Sequence, residues 1–164
     1  MTIQNFKIDQ QQGLVYVQQH NGQWIQIHFT DRTGKFIYRY KIDTITGVKH
    51  PGMILGTTNN GVEIVLHNHY HYGQAILHSW ADYAKGQQVY WHDISCTNPI
   101  LKRVQIALSK VVDGESYRPL SYNCQSYANM ACSNRRTSES VSNALGVGLF
   151  LGGLALVGAL VANR

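Results

Sequence analysis

Charge is scarce in this chain: only 14% of its 164 residues are Asp, Glu, Lys or Arg, against roughly a quarter in an average globular domain. With 44% hydrophobic residues alongside, that scarcity excludes a disordered acidic or basic tail protein. Proline is nearly absent, and the 15 glycines follow no triplet period, so collagen-like and Pro-rich classes are excluded. Cysteine is sparse too. Cys96, Cys124 and Cys132 are odd in number and irregularly spaced, with no Cys-x-x-Cys pair; neither a disulfide framework nor a zinc site is expected. The opening MTIQNFKIDQQQG lacks the basic-then-apolar layout of a secretory signal, and a reducing compartment is the expectation. Fourteen Lys and Arg against nine Asp and Glu leave a net charge of +5. That suits an anionic surface such as phospholipid head groups, but the cations form no long run and no nucleic-acid partner is expected.

What is present divides into three blocks. Residues 1–42 hold LVYVQQ, WIQIHFT and KFIYRYKI, which alternate apolar and polar residues. They predict a three-stranded meander extension with tight turns at Asn21-Gly22 and Thr33-Gly34. Residues 43–134 carry GMILGT and VEIVLHNHY around Asn59-Asn60-Gly61, then AILHSW and QQVYWHD around Ala84-Lys85-Gly86, four further strands. A helix follows, with Asn98 as its cap, Pro99 at its first position, and Leu101, Val104, Leu108 and Val111 on one face. Lys102, Arg103 and Lys110 are its wet positions, and Asp113-Gly114 ends it. A second short helix is expected from Ser121–Cys124 to about Cys132, with Tyr127, Ala128 and Ala131 facing inward. In the third block, 135–164, residues 145–162 read LGVGLFLGGLALVGALVA without a charge. At 1.5 Å per residue this run reaches about 27 Å, close to the thickness of a hydrocarbon core, and it predicts a single-pass C-terminal anchor. A buried pair of helices in a soluble core is the alternative. Gly148 and Gly152 would let two tails pair in a dimer, and Arg135-Arg136 against Arg164 leans toward a cytosolic domain.

Eight histidines are too many for one site. His20 and His28 read as partly exposed positions of the meander, and His78 and His92, near Trp80 and Trp91, as structural. The dense group is His67, His69 and His71. Residues two apart on a strand point the same way, so His67 and His69 could share a metal, and a His-metal enzyme is one alternative. No acidic ligand follows them, however, and no metal or other cofactor is expected. Cys96 and Cys132 lack a histidine-and-turn context and read as packing residues. Cys124 differs. It sits where a helix is predicted to start, and there unpaired backbone N–H groups and the positive end of the dipole favour a thiolate.

Two segments taken together resemble a known family. His50-Pro51-Gly52-Met53-Ile54-Leu55-Gly56, with a second strand ending at Leu66-His67, resembles the H-box of the lecithin:retinol acyltransferase-like proteins. Tyr122-Asn123-Cys124-Gln125 resembles their Asn-Cys motif. These proteins are circularly permuted relatives of NlpC-type and papain-type cysteine hydrolases. Gln125-Ser126 stands where the family has Glu-His. The likeness spans about residues 43–134 and implies an α+β fold: an antiparallel sheet packed with one or two helices in a permuted papain-like core. It implies Cys124 as nucleophile, His50 as general base and acid, and the backbone N–H of Cys124 as oxyanion donor. Asn123 adjoins the nucleophile in the motif and can cap its helix. His67 is the choice for the third, orienting residue, with Asn68 and His69 left open for that place. A thioester acyl-enzyme acting on phospholipid acyl esters is the implied activity. A peptidase or amidase of the same superfamily and a non-catalytic membrane-anchored interaction module are the alternatives.

Overall fold

A computed structural model describes residues 1–40, 49–116 and 123–135. Over these residues the chain is α+β, an eight-stranded antiparallel sheet with three α-helices. Strands β1 (Asn5–Asp9), β2 (Leu14–Gln18) and β3 (Trp24–His28) follow one another as hairpins. The three-strand meander expected from residue 14 onward is not what forms. Strand β4 (Phe36–Tyr40) does not pair with β3; the long strand β5 (Lys49–Thr58) takes both on one edge. Thr57 of β5 lies opposite His28 of β3, and Met53 lies opposite Phe36 of β4. The other edge of β5 holds β6 (Glu63–His69), which pairs onward with β7 (Gln74–Ser79). QQVYWHD contributes only the two-residue strand β8 (Tyr90–Trp91), on the outer edge of β4.

Strand β5 serves two partners on one edge because it bends. Its register against β6 shifts between Ile54 and Gly56. Gly56 has φ +146°, and a Cβ there would lie 2.1 Å from the carbonyl oxygen of His28, so only glycine allows β3 so close.

The two faces of the sheet are covered differently. Helices α2 (Ile100–Val112) and α3 (Cys124–Ser133) lie over one face. There Val104, Ala107, Leu108, Tyr127, Ala128 and Ala131 pack with Met53, Leu55, Leu66 and Leu77. Helix α2 starts one residue later than predicted, because Pro99 is its cap. The Asn98 side chain instead donates to the Ala131 carbonyl, tying this turn to the end of α3. The opposite face carries Ile37, Ile54 and Val65 under Tyr83 of α1 (Trp80–Ala84), a helix the sequence reading missed.

Cys96 and Cys132 are joined in a disulfide, which corrects their reading as inert packing thiols and the expectation of no disulfide. They are 36 residues apart with Cα atoms 4.7 Å from each other, a bridging distance that only the tertiary fold creates. The expectation of a reducing compartment loses one of its supports. The apolar run 145–162 lies outside the described residues, and among those described no helix is long and apolar enough to cross a membrane.

Candidate active site

The site is assembled at one end of β5 and β6. Alternation along paired strands puts His50, Gly52 and Ile54 of β5, Arg39 of β4, Val65, His67 and His69 of β6, and His78 of β7 on the same face. The imidazoles meet there. His50 Nε2 is 2.9 Å from His67 Nδ1, and His67 Nε2 is 3.2 Å from His78 Nδ1. Of the three residues left open for the third position, His67 is the one that meets His50. The His69 ring centre lies 6.2 Å from that of His50. Asn68 points to the other face.

Tyr83 braces this end. Its ring stacks on His50 with centroids 5.8 Å apart, and its hydroxyl donates to the His50 carbonyl at 2.5 Å. Gly52 makes room for that ring: a Cβ at Gly52 would stand 2.9 Å from Tyr83 Cε2 and 2.7 Å from Val65 Cγ1. The glycine two places after His50 is therefore a packing requirement. Arg39, 5% exposed, donates from Nε to the Tyr83 carbonyl and places a buried cation beside the histidines.

Cys124 opens α3 from the other side of the sheet. Asn123 caps the helix, its Oδ1 accepting from the N–H groups of Gln125 and Ser126, and Ser126 Oγ accepts in return from the Asn123 N–H. Burial of Tyr127, Ala128 and Ala131 holds the helix down, as expected. β5 and β6 cease to pair beyond Met53 and Leu66, and the Cys124 thiol donates to the Asn68 carbonyl at 2.9 Å. Cys124 is 3% exposed and is the one free thiol. Burial pushes the Tyr83 hydroxyl pKa up; the Arg39 cation opposes that rise, and Cys124 adds to it.

Three of the histidines, His67, His69 and His78, are shifted toward their neutral forms. Burial first, then the neighbouring His50, His78, His69 and Arg39, pushes the His67 pKa well below the ordinary imidazole value. Burial first, then His78 and Lys85, brings that of His69 to about 4. His78 is lowered as well, by burial first and then by the N-terminal ammonium, with Asp82 opposing. His67 meets other histidines through both ring nitrogens, and no group of three or more His, Cys, Asp or Glu that could hold a metal ion occurs among the described residues.

Three participants escaped the sequence reading. Arg39 could have been found as a charge at an inward position of KFIYRYKI. His78, read as structural, could have been found from its place opposite Val65, diagonal to His67. Tyr83 lies on the overlooked helix. Compared with family models, curated proteins and solved structures, the chain matches none.

Proposed function

We propose that the protein is a thiol-dependent acyltransferase or hydrolase in which Cys124 attacks an acyl ester and forms a thioester. The observation that carries this reading is a helix-opening cysteine whose thiol donates to the carbonyl of Asn68, the residue after His67 of the buried His50–His67 pair, on the residues that resemble the lecithin:retinol acyltransferase-like motifs. A permuted papain-like core is the matching fold reading.

In this reading His50 works through Nδ1, because its Nε2 is engaged with His67. It takes the thiol proton as sulfur attacks the carbonyl carbon. The oxyanion forms against the N–H of Cys124, which the Asn123 cap does not use. The C–O bond then breaks and the departing alcohol takes the proton back from His50. Water or an acceptor alcohol or amine repeats the sequence and frees the acyl group. The uncharged run 145–162 would keep the site at a membrane, which makes a glycerophospholipid acyl chain the substrate class.

The test is to incubate the full chain with phosphatidylcholine vesicles of one acyl composition and weigh the Cys124 peptide. An acyl adduct that hydroxylamine removes is expected, and it should be absent in Cys124→Ala and in His50→Ala. No adduct, together with iodoacetamide labelling of Cys124 that ignores His50→Ala, would overturn the proposal.

A further inference from the structure

Strand β8 ends the sheet beside β4, and rings crowd both of its faces. Alternate residues of a strand turn to opposite faces. Tyr90 lies opposite Tyr38 and Trp91 opposite Ile37, so the tyrosine takes one face and the tryptophan the other. On the first face Tyr38 stacks on Tyr90 with ring centres 5.3 Å apart and meets Tyr40 edge-on at 5.6 Å. The Lys49 ammonium stands over the Tyr38 ring at 4.5 Å. On the second, the Arg32 guanidinium lies over Trp80 at 5.0 Å and over Trp91 at 5.1 Å, and the Lys35 ammonium is 5.8 Å from the Trp91 ring.

These rings are not core. Trp91 is 56% exposed and Tyr40 42%, and Tyr90 is exposed with them. The cations along this edge, Arg32, Lys35, Lys49 and Arg103, outnumber the acids, Glu63, Asp31 and Asp93. Glu63 is held by Arg32 at 3.2 Å. Lys35 and Lys49 are exposed and form no ion pair among the described residues, and Asp93, which lines the same shallow depression as Lys35 and Trp91, forms none either. Two partners are disfavoured by this arrangement. The faces of Tyr38 and Trp91 are taken by Tyr90, Lys49, Arg32 and Lys35, which leaves little for a nucleic-acid base to stack on. A strand of two residues offers an added peptide strand too short a ladder. What the edge does present is amphipathic ring edges among cations.

We infer that the β4–β8 edge is an interfacial contact: Tyr40, Tyr90 and Trp91, with Lys35 and Lys49 among them, seat in the head-group layer of an anionic phospholipid bilayer. Tyr and Trp collect at that depth because one end of each is apolar and the other polar, and lysine near an anionic leaflet adds attraction. Tyr40 lies opposite Lys49 and Arg39 opposite His50, so the contact would hold the His50 end of β5 close to the lipid. It depends neither on Cys124 chemistry nor on the run 145–162.

Three tryptophans, Trp24, Trp80 and Trp91, let fluorescence distinguish this edge from the rest of the full chain. Trp24 is the internal control. It is exposed too, but it lies on β3, which meets β5 at Thr57 and Thr58, the end away from Lys49. The probe is a vesicle of phosphatidylcholine brominated near the head-group end of its acyl chains, with or without added phosphatidylserine. Bromine quenches an indole by contact, and the run 145–162 contains no tryptophan, so its own membrane binding adds nothing to the signal.

Quenching is expected with phosphatidylserine present. It should be lost in Trp91→Tyr, which removes the reporter but keeps an interfacial ring, and retained in Trp24→Tyr. Replacing Lys35 and Lys49 together by glutamine should raise the lipid needed for half-quenching roughly tenfold or more, and raising salt from about 0.1 M to about 0.5 M should act in the same direction. Quenching that survives Trp91→Tyr, that is equal without phosphatidylserine, or that does not occur overturns the inference. So does a single-stranded oligonucleotide that quenches Trp91 where vesicles do not, which would assign the edge to nucleic acid. The thiol reading is judged separately: an acyl adduct on Cys124 without quenching of Trp91 overturns the contact alone, and quenching without an adduct supports the contact while counting against the thioester.

Discussion

Gly52→Ala tests the packing that holds the candidate base. A methyl group at Gly52 would meet Val65 Cγ1 at 2.7 Å and Tyr83 Cε2 at 2.9 Å, so at least one of two fully buried side chains must move. Overpacking of this kind costs about 1–3 kcal/mol. If the Tyr83 ring tilts, its hydroxyl leaves the His50 carbonyl, and about 1 kcal/mol more is lost. The reduced freedom of the unfolded chain returns about 0.4–1 kcal/mol, leaving a net loss of about 1–3.5 kcal/mol by these estimates. For a chain of this size the melting temperature should drop by about 2–4 °C per kcal/mol. Urea unfolding with an unchanged slope gives the free energy directly. The comparison is Gly61→Ala, where φ is +76° and nothing lies within 4 Å of the new Cβ. That variant carries only backbone strain, about 1–2 kcal/mol, less the same return. A Gly52→Ala chain no less stable than Gly61→Ala would refute the packing of Tyr83 against β5.

Further outcomes follow from the same geometry. The unfolded, unreduced chain should take up one iodoacetamide and, after reduction, three, since Cys96 and Cys132 are bonded and Cys124 is the remaining thiol; intact mass decides, and more than one before reduction disproves the bridge. Replacing Cys96 and Cys132 together by serine should lower stability by about 3–4 kcal/mol, the chain-entropy value for a loop of this length, measured by urea unfolding. Acid should destabilise the fold early. His67, His69 and His78 have native pKa values below those of the unfolded chain, so between the two values the unfolded state binds more protons and stability falls as pH falls. For His69 that window runs from the unperturbed 6.5 down to about 4. Urea midpoints across this range should fall steeply, and His69→Gln should flatten the slope.

The parts legible in the sequence were those with local causes. The helix α3 announced itself through Asn123 at its cap and the inward spacing of Tyr127, Ala128 and Ala131, and alternation placed His67 and His69 on one face. Turn residues at Thr33-Gly34 suggested a hairpin, but the pairing of β3 and β4 one after the other along a single edge of β5 depends on strands far apart in the chain. Helix α1 is five residues long, too short for periodicity, although Ser79-x-x-Asp82 was a capping signal that could have exposed it. The Cys96–Cys132 bond spans 36 residues, which no spacing rule reaches.

A boundary at residue 42 looked natural because composition changes there, yet β5 depends on what comes before it. Trimming the protein back to residue 43 would strip β4 and β3 from the strand that bears His50 and leave a row of unsatisfied amides and carbonyls as a template for stray chains. The first forty residues are thus a structural flank of the candidate site, and a shortened version meant to isolate it should come out of solution.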